Sequence, residues 1–246
     1  MKLGSKKEKN DHWLLVLAGG FGSRLSAVVK DVPKPLAPVN GKPFLYYLIE
    51  NWKSQGLHKF SFLVYFKADQ IVDFLKKEQE SGILQDCSVE YVFEESPLGT
   101  GGAIVSAIKT MGLSEPFFVV NADTWTEAGV RELTYLSRPA ITAVRVSDVS
   151  RYGAVHINGN IITKFEEKNQ YSGPGYINAG LYFFDPKLFE NYGDEFFSLE
   201  NELFGKLVKN KEMYVSKIDS NFIDIGIPQD YYRFCEWISS NKNFEL

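Results

Sequence analysis

Three glycines, two cations and two carboxylates hold most of the chemistry legible in this chain. Gly19, Gly20 and Gly22 follow the apolar run WLLVLA, and Arg24 and Lys34 come after them. A loop without side chains brings backbone N–H groups against phosphate oxygens or a base. A guanidinium and an ammonium on the same segment would neutralise the charge of such a ligand. Lys34 stands between Pro33 and Pro35, which predicts an extended, stiff backbone beneath it. Asp123 closes FFVVNAD and Asp224 lies in FIDIGIPQ, each at an expected strand end. Together they are the two carboxylates that a Mg²⁺ bridging substrate phosphates requires. Taken singly, these residues keep plainer readings: a tight turn for the glycines, a cap or turn for each aspartate, and a polyproline-type ligand segment around Lys34.

The elements that must position these groups follow from the hydrophobic pattern. Short apolar runs at 13–18, 60–66, 89–93, 117–121 and 141–146 read as strands, several of them apolar on both faces as in a parallel sheet. Segments 44–55, 68–84, 101–111 and 127–136 have helical spacing. Strand alternating with helix predicts an α/β fold: an open, Rossmann-like mixed sheet, mainly parallel, with helices on both faces. Beyond residue 147 the pattern changes to a hairpin around Asn158-Gly159, a strand at 177–185, helices at 199–209 and 229–240, and strands at 213–217 and 222–225. No linker, low-complexity tract or repeat divides the chain, so one domain over 1–246 is expected, with 1–11 as a flexible tail. In such sheets ligands bind beyond the carboxyl ends of the strands, where the glycine loop falls.

Bulk properties exclude several classes. A chain of 246 residues, 44% hydrophobic and 24% charged, can bury a full core. No run approaches the roughly 18 apolar residues of a membrane span, and the polar start MKLGSKKEKND has no secretory core, so a cytoplasmic protein is expected. The net charge of −4, with both signs interspersed, gives no footprint for nucleic acid. Cys87 and Cys235 are expected as ordinary buried thiols, with no Cys/His spacing that signals zinc. The P-loop pattern is absent, and Leu25 stands where the dinucleotide fingerprint needs its third glycine. A nicotinamide-dependent oxidoreductase is thereby disfavoured.

LAGGFGSRL followed by DVPKPLAPVNGKPF resembles the signature of the sugar-1-phosphate nucleotidyltransferases, also called NDP-sugar pyrophosphorylases. The resemblance continues through PLGTGGA (97–103), VVNAD (119–123), FEEK (165–168), INAGLYFFD (177–185) and FIDIGIPQDY (222–231), nearly the whole chain. Within the family the wording is most similar to the D-glycero-α-D-manno-heptose 1-phosphate guanylyltransferases. The resemblance implies transfer of a nucleoside monophosphate from a nucleoside triphosphate to a sugar 1-phosphate, with release of pyrophosphate, for surface polysaccharide such as capsule or lipopolysaccharide. Mannose, glucose or N-acetylmuramate 1-phosphate with GTP, UTP or dTTP is the alternative substrate set. A homodimer is one partnership the chain allows. Neither hexapeptide repeats nor the β-helix module of some relatives follows, so no acyltransfer or trimerisation by that module is expected. A regulatory relative that had lost catalysis would lack a clamp cation or a metal carboxylate, and this chain has all four.

By the same resemblance, Arg24 holds the triphosphate and leaving pyrophosphate, and Lys34 lies near the α-phosphate. Leu17, Ala18, Gly19, Gly20, Gly22, Ser23, Glu94, Gly99 and Thr100 would line the nucleotide site. Asp123 and Asp224 would hold Mg²⁺. Lys168 would meet the sugar phosphate and Glu167 the sugar hydroxyls, with Gly153, Asn178 and Glu200 as further sugar-pocket candidates; a solvated charge cluster is the plain reading of FEEK. PLGTGGA is expected to open a helix whose start faces anionic groups. The attacking phosphate oxygen is already ionised near neutral pH, so no base or nucleophile is needed, consistent with His12, His58 and His156 lying outside every motif. Glu94, or Glu95 if the register differs, would read the base. A carboxylate accepts from both guanine N1–H and N2–H₂, whereas uracil and thymine offer one N–H between two carbonyls, so GTP is the expected donor.

Overall fold

The computed structural model describes residues 10–22, 24–25, 28–193 and 195–240. The first half runs β1 (Leu14–Leu17), β2 (Pro38–Val39), β3 (Lys42–Pro43), α1 (Phe44–Ser54), β4 (Lys59–Val64), α2 (Ala68–Ser81), β5 (Ser88–Phe93), α3 (Gly99–Met111) and β6 (Phe117–Asn121). Next come β7 (Thr124–Thr126), α4 (Val130–Thr134), β8 (Ala140–Val146), β9 (Val155–Asn158), β10 (Ile161–Phe165) and β11 (Gly175–Phe184). The chain closes with α5 (Gly205–Lys209), β12 (Tyr214–Ile218), β13 (Phe222–Asp224) and α6 (Pro228–Ser240).

Nine strands form one sheet in the order β5-β4-β1-β6-β11-β8-β12-β10-β9. The first four are mutually parallel, β11 runs against both its neighbours, and β8 and β12 are parallel again. This is the mixed, mainly parallel sheet expected from the sequence. Alternate side chains of β1 feed two cores: Leu14 and Val16 pack with α1, α2 and α6, while Leu15 packs with α3 and α5 on the other face. Helices therefore cover both faces. β1 has β4 on one side and β6 on the other, so the chain reverses its winding direction there. Its carboxyl end is the topological switch point at which such sheets open a crevice. No helix of the described residues is long and apolar enough to cross a membrane.

The structure departs from the sequence reading in several places. The helix expected at 127–136 is only the single turn of α4, which starts after Gly129, whose φ of +132° no helix continues through. The helix expected at 199–209 begins with a wide π-type turn, Leu199–Phe204, before α5. Lys34 opens a 3₁₀ turn, Lys34–Leu36, closed by Leu36 N–H on Pro33 O at 2.8 Å. Only Pro33 has the extended conformation expected of Lys34. Residues 1–9 of the expected tail lie outside the described residues; Asn10 is paired, its N–H donating to Gly56 O at 3.0 Å. Cys87 and Cys235 are half-buried rather than buried, each sitting at the margin of the core.

The glycines of α3 explain how a distant segment is seated. A Cβ on Gly101 would lie 2.1 Å from the Phe197 ring, and one on Gly102 would lie 2.6 Å from Glu195 O. Phe197 is itself stacked on Tyr192, with ring centroids 4.5 Å apart, so it has little freedom to withdraw. Helix propensity alone would favour Gly101→Ala by about 1 kcal/mol, but overpacking costs about 1–3 kcal/mol. We expect Gly101→Ala to lower the urea unfolding midpoint; a raised midpoint would mean that Phe197 yields.

Candidate active site at the carboxyl end of the sheet

The glycine loop leaves β1 between Tyr65, after β4, and the turn that follows β6. A Cβ on Gly19 would lie 2.8 Å from Glu94 Oε1 and 3.2 Å from Tyr65 Cβ, so glycine is what lets the Glu94 carboxylate approach the loop. Gly22 has φ +63° and its added Cβ would be 2.9 Å from Lys34 Cβ. Both the conformation and the close passage of Lys34 demand glycine there. Gly20 has nothing within 4 Å and forms an open rim shared by two cavities.

The first cavity is lined by Leu17, Ala18, Gly22, Arg24, Lys34 and Asp123, among others. Lys34 Nζ lies 2.6 Å from Asp123 Oδ2 and 3.6 Å from Asp224 Oδ1, and its side chain is only 9% exposed. The β7–β13 ribbon makes this meeting possible. It pairs Thr124 with Asp224, and Ile225 N–H donates to Asp123 O at 3.0 Å. Asp123 is thus held in the turn beyond β6 rather than at its last residue. Gly226 N–H donates to Asp224 Oδ1 at 2.6 Å. Burial, and next the Asp123 charge, push the Asp224 carboxyl up, against the opposing pull of Lys34, the Gly226 N–H and Arg24. Two carboxylates converging here call for a cation, and the lysine ammonium occupies that position.

The second cavity is lined by Gly19, Phe21, Tyr65, Glu94, Gly99, Thr100, Asn121, Phe196 and Glu200 as well as Leu17, Gly20 and Asp123. Glu94 faces it, whereas Glu95 is exposed and does not line it. Glu94 Oε2 accepts from Leu98 N–H at 3.0 Å, which fixes the carboxylate. Burial pushes its carboxyl up, partly offset by that bond. The start of α3 lines this cavity through Gly99 and Thr100, and part of it is taken up by the protein itself. Gly101 N–H donates to Phe197 O at 3.0 Å, and Gly99 at φ +70° gives the same carbonyl room. Thr100 Oγ1 accepts from Leu199 N–H at 2.9 Å and donates to Glu200 Oε2 at 3.0 Å. The anionic partner near this helix start is therefore the protein's own Glu200.

Other expected site residues lie apart from these cavities. Gly153 (φ +82°) packs against Glu166 O, and Glu167 and Lys168 are exposed in the loop after β10; none of the three lines either cavity. Asn178 starts the irregularity in β11, donating to Tyr182 Oη at 3.0 Å and accepting from Gly180 N–H at 3.0 Å. Burial first, then the Glu200 charge, push the Tyr182 hydroxyl far up, so it stays protonated. Ser23 lies outside the described residues. No histidine lines either cavity: His12 packs on Phe118 and Phe183, and His156 is bonded to Glu166. Sequence reasoning missed Phe21, Tyr65, Asn121 and Phe196. Phe21 and Phe196 are 57% and 66% exposed, and such large exposed rings were the available signal, but exposure is invisible without the fold.

A glycine-rimmed crevice at a sheet's switch point, floored by two carboxylates and a buried lysine, defines a phosphate-handling α/β protein. The nucleotidyl transferase family model matches residues 14–240, and the chain belongs to that family. It is 34% identical over 223 residues to the D-glycero-alpha-D-manno-heptose 1-phosphate guanylyltransferase of Campylobacter jejuni, covering 89% of this chain and 97% of that one. It is 32% identical to the mannose-1-phosphate guanyltransferase of Saccharomyces cerevisiae, of whose length it spans 62%. The crystal structure of HddC from Yersinia pseudotuberculosis is 38% identical with a TM-score of 0.81, over 92% of this chain and 99% of that one; HddC has also been solved with GMP-PN.

If Lys34 and Arg24 meet charge developing on a transferring phosphoryl group, Lys34→Ala or Arg24→Ala lowers kcat/KM by roughly 10²-fold or more. Initial-rate pyrophosphate release measures this, and near-normal turnover in either variant removes that residue from the mechanism.

Proposed function

We propose that this chain transfers the guanylyl group of GTP to D-glycero-α-D-manno-heptose 1-phosphate, releasing pyrophosphate and forming the GDP-heptose. The observation that carries this reading is the Lys34 ammonium held between Asp123 and Asp224 beneath the glycine rim. The choice of base and sugar draws support from the Campylobacter relative, matched over almost its full length, and from HddC with GMP-PN. The mannose-1-phosphate enzymes are matched over a smaller share of their own length, which disfavours that alternative.

Asp123 and Asp224 would hold Mg²⁺. They fit it because both are carboxylates that converge on one point, where a cation already neutralises them. The ion would supply charge neutralisation on the substrate phosphates. The chain's own residues do the rest. Backbone at Gly20 and Gly22 leaves room for the triphosphate, and Arg24 balances the charge of the leaving pyrophosphate. Lys34, nearly buried and held beside the two carboxylates, would supply positive charge to the α-phosphate, where a positioned cation contributes most. The sugar phosphate attacks with an oxygen already ionised, so the absence of a histidine from both cavities costs nothing. Glu94, fixed by Leu98 N–H, retains lone pairs for guanine N1–H and N2–H₂. Phe21 and Tyr65, edge-to-face at 5.8 Å, border the same space with apolar surface suited to a base. The reaction would run in the cytoplasm and feed synthesis of capsule or lipopolysaccharide.

Activity is expected to vanish on chelation and to return with Mg²⁺, and Asp123→Asn or Asp224→Asn to raise the Mg²⁺ requirement while lowering kcat. Full turnover by a metal-free enzyme contradicts the assignment.

Glu94→Gln should erode the preference for GTP over UTP, the two bonds being worth about 1–3 kcal/mol by analogy with other base-edge contacts. Because burial raises the Glu94 carboxyl, its accepting form is lost as pH falls, beginning above the usual glutamate range. KM for GTP should therefore climb on acidification more in wild type than in Glu94→Gln. Identical profiles would exclude Glu94 as the base reader.

A further inference from the structure

At the end of the sheet opposite the crevice, His58, Asp86 and Cys87 bring a nitrogen, a carboxylate and a thiol together. His58 immediately precedes β4 and Cys87 immediately precedes β5, whose first residues pair, Lys59 with Ser88. Ser88 N–H donates to His58 O at 2.9 Å, locking the two strand entries side by side. A whole helix, α2, separates them in sequence, so no short Cys/His spacing could reveal the meeting.

The distances suit a metal. His58 Nδ1 is 3.4 Å from Asp86 Oδ2 and 3.9 Å from Cys87 Sγ, and Cys87 Sγ is 3.6 Å from Asp86 Oδ1. Tetrahedral zinc bonds of about 2.0–2.3 Å set neighbouring donors roughly 3.3–3.6 Å apart. The nitrogen–oxygen edge to Asp86 Oδ2 already fits, and one donor atom from each residue lies within 4.8 Å of the others, so the edges to the Cys87 sulfur are the ones that must shorten. Lys53 Nζ donates to Asp86 Oδ1 and Ile83 O, orienting the carboxylate while leaving Oδ2 toward His58. Such outer partners are what aim metal ligands. With a thiolate and a carboxylate facing a divalent ion, the lysine charge is tolerable because it pairs with the carboxylate from behind.

We propose that His58, Asp86 and Cys87 bind a borderline-soft divalent ion of the zinc class, with water in the fourth position, stapling edge strand β5 to β4. Soft thiolate and imidazole donors select zinc over Mg²⁺, so this site is chemically distinct from the all-oxygen pair Asp123 and Asp224. On binding, Cys87 loses its proton to solvent and the metal–sulfur bond forms; nothing is oxidised or reduced.

Co²⁺ titration of the full chain tests this by absorbance. Thiolate ligation gives a near-ultraviolet sulfur-to-cobalt charge-transfer band, which oxygen ligands at the active site cannot produce, alongside the visible bands of tetrahedral cobalt. The bands should appear in wild type and in Cys235→Ser, disappear in Cys87→Ser, weaken in His58→Gln and bleach when Zn²⁺ is added. Zn²⁺ should also raise Tm in wild type more than in Cys87→Ser. A missing band, a band that survives Cys87→Ser, or equal Tm shifts in the two proteins would overturn the proposal.

Discussion

The Lys34 ammonium between the Asp123 and Asp224 carboxylates is the contact on which the rest of the crevice depends. Two carboxylates brought together repel, and at an effective dielectric of about 20 unit charges about 4 Å apart interact by about 4 kcal/mol, well above a single net hydrogen bond of about 1 kcal/mol. Solvent at Asp123 weakens this without reversing the order. Three remote segments, the turn at Pro33, the turn after β6 and the end of β13, meet at this point, where the ammonium offsets the repulsion of the two carboxylates. The ribbon behind them is supported by apolar packing: Trp125 meets Trp237 at 4.6 Å and Phe234 at 6.3 Å. Buried Asp230, bonded to Arg151 and Arg233, anchors the start of α6 beside it.

Glycine does two different jobs around this centre. Gly20 keeps a rim clear, while Gly19, Gly99 and Gly101 make space for parts of the protein itself: the Glu94 carboxylate, the Phe197 carbonyl and the Phe197 ring. The second group converts glycine-rich sequence into wall rather than opening. That wall, residues 195–200 seated on the start of α3, brings Phe196 and Glu200 to the cavity and takes up the Gly101 and Gly102 N–H groups and the Thr100 hydroxyl.

Much of this was legible because period and apolarity report burial. β1, β4 and β6 are buried on both faces and read as continuous apolar runs, and from them follow the sheet, the switch point and the place of the glycine loop. Arg24, Lys34, Asp123 and Asp224 were legible through residue type and through the family resemblance, and the fold brings them to a common floor. The β7–β13 ribbon was not legible as a pair, since three-residue strands have no period and their pairing is set by tertiary contact. Nor was the 3₁₀ turn at Lys34, because the steric rule for residues before proline is a preference that a closing hydrogen bond can override. Lys168 and Glu167 were legible by residue type and motif alone; they are exposed in the loop after β10 and are not among the residues lining the two cavities.

If this crevice joins a guanylyl group to a heptose 1-phosphate, pyrophosphate release across a matrix of nucleoside triphosphates and sugar 1-phosphates, with product mass determined, reports it. Release should be fastest with GTP and D-glycero-α-D-manno-heptose 1-phosphate, and the product should have the mass of the GDP-heptose. Equal or faster turnover with UTP or dTTP, or with mannose 1-phosphate, or no release from any pair, would contradict it.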